Sequence, residues 1–187
     1  LDVDAHVTTV LFNDQYKMLY NRRELKDVSK MTDKDYTPGG MTALLDAVGR
    51  TIHKMDMVAG IHRKDKGNKV LFVIITDGEE NDSKEYTYAD VKKLIKDRQE
   101  NAGWEFIFLG ANIDAAAAAE NLGIDRDRAV KYKNTGSGVR ANFKAVAELS
   151  DSLAKSGRVS DRWKETVEKD EDDAADKQSA AVTSHRR

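Results

Sequence analysis

The sequence predicts an α/β protein built on a doubly wound, mostly parallel sheet with helices on both faces. Three observations predict it. Residues 70–76, Val-Leu-Phe-Val-Ile-Ile-Thr, are an apolar run in which six of seven residues are β-branched or aromatic, and it stops abruptly at Asp77-Gly78. Such a run reads as a parallel strand buried on both faces. Apolar segments of strand length alternate along the chain with amphipathic segments of helix length, and the stretches between successive strands are long enough to hold crossover helices.

The elements follow in order. His6-Val7-Thr8-Thr9-Val10-Leu11-Phe12 is rich in β-branched and aromatic residues, and Asn13-Asp14 supplies turn chemistry before a second strand over residues 16–20. Residues 24–31 read as a weak, charged helix. Pro38-Gly39-Gly40 breaks the pattern with one stiff and two permissive residues. From Thr42, a candidate N-cap, Leu45, Val48, Ile52 and Met55 form one apolar stripe of a helix. Residues 60–68 are a charged connection into the strand at 70–76. Thr87-Tyr88-Ala89-Asp90 resembles a capping box for a helix running to Gln99, with Val91, Leu94 and Ile95 inward and Gly103 as its stop. Residues 104–110 are the next strand, and Asn112 or Asp114 opens an alanine-rich helix that closes at Leu122-Gly123. Residues 129–133 read as a short, more exposed strand. A last helix spans residues 137–154 with Val139, Phe143, Val146 and Leu153 inward. The expected organisation is one α/β domain over 1–156 and a charged, solvated tail over 157–187, in which Trp163 and Val167 hint at a further docked turn.

Composition narrows the function less than the pattern does. Lys and Arg number 31 against 33 Asp and Glu, a net charge of -2, so no global field points to nucleic acid or an anionic membrane. Without cysteine there is no disulfide framework, thiol nucleophile or zinc–thiolate site. No apolar run approaches the roughly 18 residues of a membrane span, which makes the cytoplasm the default location. Leu1-Asp2-Val3-Asp4 leads straight into a strand without a start methionine, and reads as the interior of a longer gene product.

Asp77 and Thr42 both fall at strand-to-helix junctions, on the sheet edge where open α/β sheets bind ligands. Carboxylate and hydroxyl oxygens suit a hard divalent cation, although Asp-Gly after a strand is also an ordinary turn and a threonine before a helix an ordinary cap. Glu79, Glu80 and Asp82 crowd the same loop out of EF-hand order and read as solvated. The four histidines show no metal or catalytic spacing, and Gly110-Ala111-Asn112 lacks the three-glycine dinucleotide fingerprint. Thr135-Gly136-Ser137-Gly138 reads as a lead into the last helix, and Lys92, Lys93 and Lys96 as a solvated face.

Pro38-Gly39-Gly40-Met41-Thr42-Ala43-Leu44-Leu45-Asp46-Ala47 and Val73-Ile74-Ile75-Thr76-Asp77-Gly78-Glu79 resemble the second and third loops of a von Willebrand factor type A domain. The resemblance covers roughly residues 3–155. Residues 108–114 and 122–124 are also similar to intracellular bacterial and phage members of that family. It implies a three-layer, Rossmann-like fold and a metal-ion-dependent adhesion site to which Thr42 and Asp77 contribute. The implied cofactor is Mg²⁺, or Mn²⁺ or Ca²⁺, and the implied partner is a protein offering an Asp or Glu to the metal, with no nucleic acid and no membrane. The family's first motif, Asp-x-Ser-x-Ser at the end of its central first strand, occurs nowhere in this sequence. The expectation is therefore a type A fold lacking its first strand and helix, with two apolar strand edges facing an empty slot and a weak metal site. A metal-assisted hydrolase using Asp77, Glu79 and Glu80, and a type A scaffold without metal, remain as alternatives.

Overall fold

The computed structural model describes residues 4–32, 34–37, 39–58, 68–160 and 162–169. The expected connection over residues 60–68 and the far end of the expected tail lie outside the described residues, apart from Asn68. The architecture is α/β, compatible with a Rossmann-like layout, but its strands form two sheets. β1 (His6–Phe12) and β2 (Tyr16–Glu24) make an antiparallel hairpin, closed by a bond from the Gln15 N–H to the Asn13 side chain at 2.7 Å. β3 (Leu71–Thr76), β4 (Glu105–Ala111) and β5 (Ala129–Tyr132) make a parallel sheet in that order, with Ile74 opposite Phe108 and Leu109 opposite Val130.

Helices cover both faces of the parallel sheet. α1 (Leu44–Asp56), α2 (Tyr88–Asp97) and α3 (Ala115–Asn121) bury Leu44, Val48, Ile52, Val91, Ile95 and Ala119 against Ile74, Phe106 and Phe108. α4 (Gly136–Ser156) lies on the opposite face with Ile107, Leu109, Val130 and Tyr132. Val159, Trp163 and Val167 complete that layer, and the Trp163 indole donates to the Asp127 carbonyl at 3.1 Å. α1 also packs against the hairpin. Phe12 of β1 packs into its cluster, and the Tyr16 and Thr51 hydroxyls share a hydrogen bond at 3.2 Å.

Several expectations change. β3 is not buried on both faces: only Ile74 and Thr76 are fully buried, because β3 is an edge strand. The strand enclosed on both sides is β4. Residues 24–31 hold only a single 3₁₀ turn, Leu25–Asp27, with no buried residue to reward a longer helix. β5 is more buried than expected, since Trp163 and Val167 share its core cluster. The buried stripe of α4 is Gly138, Asn142, Ala145, Leu149 and Leu153, leaving Val139 and Phe143 exposed. The Thr87–Asp90 capping box and the Asp114 cap form as expected, and a five-residue π turn, Arg98–Ala102, carries α2 to Gly103.

Candidate functional site at the carboxyl ends of the parallel strands

Asp77 follows β3 directly, and its loop is fixed locally. The Thr76 hydroxyl donates to the Gly78 carbonyl at 3.0 Å and accepts from the Gly78 N–H at 3.3 Å, which closes a tight turn under an exposed Asp77. Thr42 is brought to the same turn. A methyl group built on Gly78 would stand 3.0 Å from the Thr42 hydroxyl oxygen, so glycine is what lets the two loops approach this closely. Asn81 clamps Thr42 from both sides. Its side-chain oxygen accepts from the Thr42 N–H at 2.7 Å, and its own N–H donates to the Thr42 carbonyl at 3.0 Å. Thr42 therefore lies ahead of α1 and is not its N-cap, which is Ala43.

The helix start is satisfied from elsewhere, which corrects the reading of Glu80 as a solvated residue, whereas Glu79 is exposed as expected. The Glu80 carboxylate accepts from the Leu45 N–H at 2.9 Å, from the Asp82 and Ser83 N–H groups, and from the Ser83 hydroxyl. A carboxylate at a helix N-terminus satisfies orphan donors and complements the macrodipole. Asp46 returns the favour. Its own N–H donates to the Ser83 hydroxyl at 3.1 Å, and its carboxylate accepts from the N–H groups of Lys84, Glu85 and Tyr86 at 2.9–3.0 Å. Burial pushes the Asp46 carboxyl up, but those three N–H donors, with the Arg50 charge, outweigh it and hold the group below its ordinary range. Arg50 in turn grips Glu85 through two bonds of 2.6 and 2.8 Å.

Two further loops reach this edge. Gly40, at φ 87°, sits so close to the hairpin turn that any side chain there would strike Asp14 and Asn13. From the β5–α4 loop, the Asn134 amide donates to the Asp77 carboxylate at 3.0 Å. Burial, then the negative charge of Asp77, pushes the neighbouring Tyr132 phenol up to about 12. A shallow polar cleft alongside, lined in part by Asp14, Asp46, Arg50, Asp82 and Lys84, includes neither Thr42 nor Asp77.

The donor chemistry of Thr42 and Asp77 fits a hard cation in kind and falls short in number: among the described residues, no three His, Asp or Glu side chains gather as a metal cage. Glu80 does not supply the shortfall, since it is consumed by the α1 start and the loop backbone. The sequence did not disclose the roles of Asp46, Asn81 and Asn134, and it offered Glu80 only as a solvated or catalytic carboxylate. Asp46, Glu80 and Asn81 pair with residues about forty positions away, and no local spacing signals that. Searches against protein-family models, curated proteins and solved structures find no significant match to this chain. Among the described residues, no helix is long and apolar enough to cross a membrane.

Proposed function

We propose that this chain is a protein-binding module of the von Willebrand factor type A kind. In this reading Thr42 and Asp77 contribute to a divalent-metal site that engages an acidic residue of a partner protein. The observation that carries the reading is the meeting of the Thr42 hydroxyl and the Asp77 turn at the carboxyl end of β3, with Gly78 too close to Thr42 to be anything larger without a shift. The strands divide between a hairpin and a parallel sheet that both contribute to the core cluster of α1.

Mg²⁺, or Mn²⁺ or Ca²⁺, supplies an open coordination position for an incoming carboxylate when bound. Thr42 contributes a neutral hydroxyl oxygen on a loop braced by Asn81, and Asp77 contributes the charge. Two protein oxygens leave the affinity of this chain for Mg²⁺ low. The test is capture of a partner protein with and without Mg²⁺. Capture that needs the cation and is lost in Asp77→Ala is the expected result; capture indifferent to both chelator and Asp77→Ala contradicts the metal-site reading and favours a type A scaffold without metal.

A further inference from the structure

We propose that α4 carries a self-association surface, on which a second copy of this chain packs its own α4 antiparallel to the first. Beside its buried stripe the helix shows a second one: Val139, Phe143, Val146 and Ser150 recur at spacings of four, three and four, the pattern of a helix–helix seam. The core of a single chain does not use it. Phe143 is 59% exposed, Val139 is 37% exposed, and Val146 is half-buried.

The surroundings widen this stripe into a patch. Glu148, roughly 160° round the helix from Val146, accepts from the Thr166 hydroxyl at 3.2 Å, on the flank where Trp163 and Val167 join Val130 and Tyr132 in one core cluster. The flank bearing Phe143 therefore turns the other way, towards β3, whose Leu71, Val73 and Ile75 pack against the same cluster and stay half-buried. β3 is also an edge strand: it pairs only with β4, and Leu71–Thr76 includes no charge and no proline to blunt it. Apolar side chains scattered singly over a surface are ordinary, but a helix stripe continuous with a half-covered strand marks an interface.

Charge selects a second copy as the occupant. The charged residues bordering the seam on its solvent side are Arg140, near the helix start, and Asp151, near its end. Arg140 has no carboxylate partner among the described residues, and Asp151 holds Lys155 at 2.7 Å through one oxygen. Lys144 and Glu148, further round the helix, hold each other at 3.9 Å. In an antiparallel pair the same flank of each helix meets, so a second α4 centred near Val146 sets Arg140 of each copy against Asp151 of the other, two symmetric pairs from one surface. A parallel arrangement would bring the two Arg140 residues to one level. The seam is short, which puts the dimer at the weak end of interfaces and leaves single chains below about 10 μM.

The experiment is sedimentation equilibrium of the full chain from about 10 μM to about 1 mM, with chelator present so that no metal bridges two copies. Circular dichroism confirms that each variant folds. A mass rising from one chain to two is expected for the parent, with Phe143→Asp held at one chain, Arg140→Asp about tenfold weaker, and the Arg140→Asp/Asp151→Arg double variant restored. A single-chain mass throughout for the parent, or a dimer untouched by Phe143→Asp, overturns the proposal. Loss of the dimer in Phe143→Asp, with no effect of Arg140→Asp or no recovery in the double variant, keeps the face and overturns the antiparallel arrangement.

Discussion

The two faces of the parallel sheet are built by different means. On the α1–α2–α3 face, large apolar side chains from regular helices meet Phe106 and Phe108, and Phe72 stacks on Phe106 with ring centroids 5.2 Å apart. On the α4 face the first half of the helix contributes small residues and a buried amide, Asn142, whose polar atoms find no partner among the described residues, and only its second half brings large ones, Leu149 and Leu153. Further bulk comes from Trp163 and Val167, beyond the helix. The first face is held by helices whose periodicity announces them, the second by a segment that composition alone would assign to solvent.

The comparison can be broken most severely at Trp163. Trp163→Ala removes the largest side chain of the α4 layer and is expected to cost about 3–5 kcal/mol in chemical denaturation. A cost under about 1 kcal/mol would mean that the segment after α4 is not part of the core. On the other face, Asp46→Ala leaves the N–H groups of Lys84, Glu85 and Tyr86 without their acceptor, and a loss of about 2–3 kcal/mol is expected. Asp46 also has a pH signature. Because its folded carboxyl is held below the ordinary 3.8, its contribution is complete above that value and fades as the pH falls through the lower folded one. Asp46→Asn should therefore show a shallower decline of stability with acid below pH 3.8 than the parent.

Smaller effects sharpen the contrast. Asn142→Leu replaces an unpartnered buried amide by an apolar group of similar size and is expected to raise stability by about 1 kcal/mol, read as an upward shift in Tm. Phe143→Ser, on the exposed side of the same helix, should change stability by less than about 0.5 kcal/mol. If Phe143→Ser destabilised strongly while Asn142→Leu did not stabilise, the helix would be rotated from the orientation described.

Those positions also show where sequence stops being informative. The stripe of α1 was legible because Leu45, Val48 and Ile52 are large, and burial selects them at helical spacing. The stripe of α4 was not. Phe143 and Val139 outweigh Gly138, Asn142 and Ala145 in hydrophobicity, yet close approach to the sheet favours the small residues. At the candidate site, Thr42 and Asp77 stood out in the sequence because each lies next to the boundary of an element; the contacts of Glu80, Asn81 and Asn134 did not, since they exist only once the loops have met. The free edges of β1 and β3 follow from pairings that strand propensity does not encode.

The central claim is that Thr42 and the Asp77 turn form one cation-binding edge. Its most direct test is backbone amide NMR with Mn²⁺ added in the millimolar range, since paramagnetic broadening falls steeply with distance from the ion. The account expects broadening centred on Thr42, Asp77, Gly78 and Asn134, abolished by Asp77→Asn. Broadening centred elsewhere, or unchanged in Asp77→Asn, would contradict it.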